Sequence, residues 1–143
     1  MVAGRNASHR PAALWSGERV DLGPKWDMHD FRRLAVWERS RKLAIDVDAL
    51  VRTFPRSDRG VVSGQLRRSA LSVPTNIAEG CGKSSRKEVI RFLQIASGSA
   101  SETEHHLIIA NDLGYLAPRR HEVLVTEVRR IRRMLAGLIA KLP

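Results

Sequence analysis

A Gly-Lys-Ser triplet at residues 82–84 is the part of the sequence that most resembles a nucleotide-binding motif. In a P-loop, backbone amides of a glycine-rich loop surround the phosphates, and the motif needs an earlier glycine five residues before Gly82. This chain has Ile77 at that position. The preceding residues repeat apolar side chains at helical spacing, whereas a P-loop follows a strand. The sequence therefore disfavours a P-loop. Gly80 and Gly82 are interpreted as the end of a helix, where glycine readily adopts a left-handed conformation.

Two other groups of residues were considered for metal or thiol chemistry. Glu102 and His105 form an E-x-x-H pair, the spacing that ferritin-like proteins use in di-iron sites. The sequence contains no second E-x-x-H, so we expect no metal and no cofactor, and we place the pair on a helix surface or an interface. Cys81 would need a lowered pKa and a nearby base to act as a nucleophile. No catalytic motif is recognisable, and the sequence predicts a protein that is not an enzyme.

The number of basic residues indicates a function more strongly than either of these groups does. The chain has 25 Lys and Arg against 15 Asp and Glu, a formal charge of +10, which attracts polyanions and nucleic acid above all. Candidate phosphate-binding residues fall in helix 2, at the start of helix 3 and in helix 4: Arg67, Arg68, Lys83, Arg86, Lys87, Arg129, Arg130 and Arg133. Aromatic residues are few, so binding would depend on phosphates and shape more than on base sequence. The alternative is a solvated face whose arginines only keep the protein soluble.

The first 27 residues differ from the rest of the chain. They mix Pro, Gly and isolated Trp without a helical or strand period, and they contribute only one of the ten surplus positive charges. The sequence predicts an irregular N-terminal extension at residues 1–27 and one domain at residues 28–143. Because Met28 opens the first regular pattern, a translation start at Met28 is one interpretation of the extension.

Apolar side chains recur at steps of three and four residues in four segments, which predicts helices at residues 30–52, 61–79, 85–113 and 118–142. The rows of the first and last helices are Val36, Ser40, Leu43, Val47 and Leu50, and Leu124, Val128, Ile131, Leu135, Leu138 and Leu142. Short turns join the segments. The predicted fold is all-α, an up-down-up-down four-helix bundle.

Local features of helices 2 and 3 add detail. Ser85 followed by Glu88 predicts a capping box at the start of helix 3. Pro74 lies inside helix 2 and predicts a kink. Only small residues occupy 96–101, and Gly98 alone costs about 1 kcal/mol of helix propensity. That cost indicates a close approach of another backbone.

Bulk properties indicate the compartment. No apolar run approaches the roughly 20 residues needed to cross a bilayer. Cys81 is the only cysteine and suits a reducing compartment. We therefore expect a soluble cytoplasmic protein without a membrane partner.

Four stretches of the sequence resemble a known family: LAVWERS around Trp37, GQLRRSALSVPTNIAEG at 64–80, RFLQIASGSASE at 91–102 and DLGYL at 112–116. The chain is similar to the bacterial four-helix bundle family labelled 23S rRNA intervening-sequence protein or S23 family. That family also includes the accessory variability determinant of diversity-generating retroelements. The resemblance covers residues 31–116, and helix 4 by pattern only. Glu38 stands where the family often has glutamine and Ser69 where it often has alanine, and we expect neither change to alter the fold.

The resemblance implies partners as well as a fold. Family members form homopentamers around a central channel, so a homo-oligomer, as a pentamer, is expected. The accessory determinant is thought to bind nucleic acid and its reverse transcriptase, which makes RNA, DNA or such a protein an expected partner, although the retroelement role itself does not transfer. No catalytic activity is established for the family. Independently of the resemblance, helix 3 carries two neighbouring apolar rows, which favours self-association: Val89, Phe92, Ala96 and Ala100, and Ile90, Leu93 and Ser97.

Overall fold

The computed structural model of the protein describes residues 28–142, and the extension predicted at residues 1–27 lies outside them. All regular structure in the described part is helical. The α-helices are α1, Ala35–Val51; α2, Val61–Cys81; α3, Arg86–Asp112; and α4, Pro118–Lys141. Short 3-10 turns at Phe31–Arg33 and Arg56–Asp58 precede α1 and α2. The four predicted helices are confirmed, with small differences at their ends.

Side-chain burial in α1 and α4 follows the predicted rows. The buried residues of α1 are Val36, Ser40, Leu43, Val47 and Leu50, and those of α4 include Leu124, Val128, Ile131, Leu135 and Leu138. The one polar member is satisfied, because the Ser40 hydroxyl donates to the carbonyl oxygen of Trp37 at 2.8 Å. Spacing alone therefore identified the core-facing sides of these two helices.

A seam of hydroxyl groups joins α2 to α3. Ser72 Oγ lies 2.9 Å from Ser99 Oγ, and Thr103 Oγ1 lies 3.1 Å from Ser69 Oγ. Residue numbers fall in α2 as they rise in α3, so these two helices run antiparallel. Small side chains allow the two helices to pack closely, and the hydroxyl groups satisfy each other inside the seam.

The glycines near the end of α2 do not have the predicted role. Gly80 lies inside the helix, and Gly82 follows it with φ −87°, so neither adopts a left-handed conformation. The helix ends instead in a tightened last turn, in which the amide of Gly82 donates to the carbonyl of Glu79 at 3.1 Å. Gly80 is needed for packing, since a Cβ there would lie 3.0 Å from Cβ of Phe92 and 3.4 Å from the carbonyl oxygen of Val89.

The small residues in the middle of α3 differ in their surroundings, since Ser99 lies in the seam with α2 whereas Gly98 does not. Ala96 and Ala100 are buried in the core, but Gly98 is exposed. A Cβ added at Gly98 would meet no described atom within 4 Å. The predicted close approach of another helix is therefore found at Ser99 and not at Gly98, where an approach by a second copy stays a prediction.

Asp58 fixes the turn between α1 and α2. Its carboxylate accepts hydrogen bonds from the amides of Val62 and Ser63, both at 3.0 Å, and from the Ser63 hydroxyl at 2.7 Å. These amides belong to the first turn of α2, where helix geometry leaves them without a partner. Gly60 has φ +77°, a conformation that favours glycine, and lets the chain turn into α2.

Candidate nucleic-acid interface

An arginine–carboxylate pair bridges each contact between neighbouring helices. Taken around the molecule from the α1–α2 contact, the pairs are Asp48–Arg67, Arg68–Glu102, Glu104–Arg129 and Glu127–Arg39, with N–O distances of 2.8, 3.1, 2.8 and 3.0 Å. We call this set the ion-pair belt. It includes three of the predicted phosphate-binding residues, so Arg67, Arg68 and Arg129 already have carboxylate partners.

Arginines on α4 outnumber the carboxylates that they reach. Arg129 and Arg132 share Glu104, at 2.8 and 3.6 Å from its two oxygens. Arg130 and Arg133 are exposed and have no ion-pair partner among residues 28–142. Since they are one helical turn apart, the two positive charges repel each other, and together they attract an anion.

The start of α3 holds a second group of cations. Half of the predicted capping box is present: the Ser85 side chain accepts the amide of Glu88 at 3.3 Å, whereas the Glu88 carboxylate lies 3.8 Å from Arg91. Arg86 and Lys87 follow Ser85, are exposed, and have no partner within the described part of the chain. Both side chains are therefore available to an anion at this end of the molecule.

Lys83 differs from its two neighbours. Its Nζ atom lies 3.8 Å from a Glu79 carboxylate oxygen and 4.8 Å from the centroid of the Phe92 ring. A P-loop lysine would extend toward a phosphate, and the described chain contains no strand before it. The structure therefore agrees with the absence of a P-loop.

Arg86 and the arginines of α4 that contact Glu104 lie along one side of the molecule. Arg86 and Glu104 are 18 residues apart, which is five full turns, so they occupy the same flank of α3 at an axial separation of about 27 Å. This flank faces α4, because Glu104 binds Arg129. We call the surface on this side, with the adjoining outer surface of the two helices, the α3–α4 basic face. Arg86, Arg129 and Arg132 lie on the facing flanks, Lys87 and Arg133 lie beside them on the outer surface, and Arg130 lies at the edge toward α1, one turn from Glu127.

The basic residues of α2 are not part of this face. Arg68 reaches Glu102, which lies on the α2 side of α3, and Arg67 reaches Asp48 on α1. The structure therefore separates residues that the sequence prediction grouped together. Their role in phosphate binding stays a prediction.

Aromatic side chains of the described chain engage one another or the core rather than the basic face. Phe31 packs on Trp37 with ring centroids 5.0 Å apart, and Phe54 packs on Tyr115 at 5.1 Å. Phe92 lies between Gly80 and Lys83 on the α2 side of α3. The α3–α4 basic face consequently offers charge without a ring on which a base would stack.

A groove of about 340 Å³ lies between α1 and α4. Its lining combines the cations of Arg39, Lys42 and Arg120 with the carboxylates of Asp46 and Glu127. Arg39 and Glu127 neutralise each other across the groove. The mixed charge makes it a poorer site for a polyanion than the α3–α4 basic face.

The E-x-x-H residues do not form a metal site. Glu102 accepts from Arg68 and lies 3.4 Å from Nε2 of His106, while His105 is exposed beside the His106 ring. Residues 28–142 contain no group of three potential His, Cys, Asp or Glu ligands.

Cys81 is not placed for nucleophilic catalysis. It is buried with 1% exposure. In the antiparallel α2–α3 register it lies near the level of residue 91, about 20 Å along α3 from His105. The residue is a core side chain.

Sequence reasoning missed Arg132, which belongs to the basic face, and Glu104, which binds it. Arg132 could have been predicted from the repeated Arg-Arg pairs at 129–130 and 132–133. In the structure it lies 3.6 Å from Glu104. Glu104 itself has no recognisable signal in the sequence, because its role depends on how α3 and α4 face each other. Its side chain is only 13% exposed.

The fold and the site define a small basic all-helical protein with four α-helices in its described residues. No helix in that part is long and apolar enough to cross a membrane. The profile of the 23S rRNA-intervening sequence protein family matches residues 32–137, so the chain belongs to this family.

A solved structure agrees with this assignment. The chain is similar to a protein of unknown function from the S23 ribosomal protein family of Bacteroides thetaiotaomicron, with a TM-score of 0.69 and 27% sequence identity. The match covers 73% of this chain and 98% of that one. The search of curated proteins gave no match.

Proposed function

We propose that this protein is a non-enzymatic binding module that contacts the phosphates of nucleic acid, as RNA or as part of a ribonucleoprotein. The observation that carries the proposal is the pair of exposed arginines Arg130 and Arg133, one turn apart and without a partner in the described chain. Arg129 and Arg132, which precede these two arginines in the sequence, share the carboxylate of Glu104. The family's description, which refers to 23S rRNA, supports RNA as the polyanion.

The physical basis is release of counterions. Each phosphate neutralised by an arginine releases condensed cations. On a duplex, the logarithm of the binding constant therefore falls linearly with the logarithm of the salt concentration, with a slope of about −0.9 per contact. Such contacts depend on position rather than sequence. We therefore expect binding with a steep dependence on salt and little preference for base sequence.

The test compares the double variant Arg130→Gln/Arg133→Gln with the control Arg52→Gln/Arg56→Gln. The control removes the same charge near the α1–α2 turn, at the opposite end of α3 from Arg86. Fluorescence anisotropy with labelled RNA at several salt concentrations should show weaker binding and a slope lower by about 1.8 for the first variant only. Equal effects of the two variants would indicate attraction by net charge without an organised site.

An alternative is a structural or protein-interaction module whose arginines serve solubility. The ion-pair belt favours it, because Arg67, Arg68 and Arg129 contact carboxylates of the same chain. This alternative predicts no saturable RNA binding at low salt. The same titration therefore decides between the two functions.

We further propose an up-down-up-down arrangement that assembles as a homo-oligomer, a pentamer by family resemblance, in the cytoplasm. Short turns and contacts between consecutive helices support the arrangement. Large apolar side chains left 40–58% exposed on α1, α2 and α3 support assembly: Ile45, Leu71, Ile95 and Ile108. Light scattering at micromolar concentration tests this, and a monomer would contradict it.

A further inference from the structure

We infer that the α3–α4 basic face binds a double-stranded nucleic acid in preference to a single strand. The inference rests on the proposed function and specifies its ligand. It follows from the separation of the two cation groups, from the surface between them and from the position of the aromatic rings.

The two groups of cations are well separated along the molecule. Along the helix axis, Arg86 and Lys87 lie about 27 Å from the level at which Glu104 binds Arg129, and about 21 Å from the level of Arg133. A duplex is stiff, with a persistence length of about 50 nm, and can contact both groups without bending. A flexible single strand would have to be ordered across the same distance, at a cost in conformational entropy.

Small side chains cover part of the surface between the two groups of cations. Ser97 and Ala136 lie two turns from Glu104 and Arg129 along the same flanks of α3 and α4. Their short side chains allow a phosphate backbone to pass close to the helices. Neither side chain offers a platform for a base.

The described part of the α3–α4 basic face has no aromatic ring on which a base would stack. Proteins that bind single strands gain about 1–3 kcal/mol per base from aromatic side chains. The described rings pack elsewhere, with Phe54 on Tyr115, Phe31 on Trp37, and Phe92 beneath Lys83. A single strand would gain little beyond charge, whereas a duplex presents about twice the density of phosphates along its axis.

Nearby carboxylates do not neutralise the positive charge of the α3–α4 basic face. Glu104 is shared by Arg129 and Arg132, and Glu88 lies 3.8 Å from Arg91. Within the face, Arg86, Lys87, Arg130 and Arg133 keep no ion-pair partner among residues 28–142, as do Arg56, Arg59, Arg119 and Arg120 elsewhere.

The experiment uses the full chain and three labelled RNA probes at about 0.1 M salt. They are a hairpin of 16 base pairs, a hairpin of six base pairs with the same loop, and an unstructured strand of 32 nucleotides. At about 2.8 Å per base pair of an A-form RNA helix, six base pairs span about 17 Å and cannot reach both cation groups, whereas 16 base pairs span about 45 Å and can. We expect the long hairpin to bind at least tenfold more tightly than either of the other probes.

A pair of variants tests the span. Arg86→Gln/Lys87→Gln should weaken binding of the long hairpin about tenfold and that of the short hairpin less than twofold. The control Arg52→Gln/Arg56→Gln should leave the ratio of the two affinities unchanged. Circular dichroism establishes that each variant is folded.

The outcomes separate the two proposals. Single-stranded RNA that binds as tightly as the long hairpin would overturn the duplex inference and leave phosphate binding intact. A short hairpin that binds as tightly as the long one would overturn the two-group contact. The absence of saturable binding to all three probes would overturn the proposed function itself.

Discussion

Oε1 of Glu104 lies 2.8 Å from Nε of Arg129, and the carboxylate side chain is 13% exposed against 59% for the arginine. Glu104 is therefore the fixed partner, and Arg129 is the side chain that can leave. The second oxygen of Glu104 lies 3.6 Å from Arg132. One carboxylate thus limits how many positive charges α4 presents to a ligand.

Replacing Glu104 with glutamine should strengthen RNA binding. The change removes a negative charge from the basic face and frees two arginines, so we expect a several-fold higher affinity and a salt slope steeper by about one. Stability should fall by no more than about 1 kcal/mol, because the pair is largely exposed on the arginine side. Glu102→Gln is the control, since its carboxylate faces α2, and an equal gain in that variant would contradict the role of Glu104.

Two glycine-to-alanine changes should have opposite effects on the free energy of unfolding. Gly80→Ala should destabilise by about 1–3 kcal/mol, because its Cβ would lie 3.0 Å from Cβ of Phe92. Gly98→Ala should stabilise the monomer by about 0.5–1 kcal/mol, since the site is helical and no described atom lies within 4 Å. Urea unfolding measures both. A loss of oligomer in Gly98→Ala would indicate that a second copy packs there.

Asp58 should make stability depend on pH in the acid range. Burial raises the pKa of its carboxyl, but hydrogen bonds from the Ser63 hydroxyl and from the amides of Ser63 and Val62 outweigh burial, so the pKa lies below 3.8. The ionised Asp58 carboxylate therefore stabilises the folded state. That stabilisation is present above the unfolded-state pKa and is lost as the pH falls through the lowered folded-state pKa. Asp58→Asn should therefore lose less stability than the parent between about pH 4 and pH 2. Parallel curves of unfolding free energy against pH would contradict this.

Removing residues 1–27 should change the free energy of unfolding little. The periodic pattern begins after them, and Met28 is already fully buried in the core. Met28→Ala in the full chain should in contrast cost about 2–4 kcal/mol through the cavity it leaves. Thermal and urea unfolding of both chains test the boundary. A loss of several kcal/mol on truncation would mean that Trp15 or Trp26 packs on the domain.

The helices and their core-facing sides could be predicted because they depend on local periodicity. The row from Val36 to Leu50 in α1 and the row from Leu124 to Leu138 in α4 are buried as expected. The role of Gly80 could not be predicted, because a glycine near a helix end either adopts a left-handed conformation or leaves room for a neighbouring side chain. Only the contact with Phe92 distinguishes these roles.

The candidate site was only partly predictable for a related reason. The sequence shows where arginines occur, but their partners lie on other helices and depend on how those helices face one another. Arg68 and Arg130 look alike in the sequence, yet the first binds Glu102 while the second is free within the described residues. Charge composition therefore predicted the kind of ligand and could not separate bridging arginines from available ones.

The ion-pair belt also has a kinetic consequence. Three of its pairs join consecutive helices, and Arg39–Glu127 joins residues 88 positions apart. Contacts between neighbouring segments form early because little chain must be ordered to close them, and domains rich in such contacts fold in microseconds to milliseconds. We expect α2 and α3 to associate first along their hydroxyl seam and the α1–α4 contact to form last. The groove between α1 and α4 should in turn be the first part of the native protein to open, with the fastest amide exchange along its two walls.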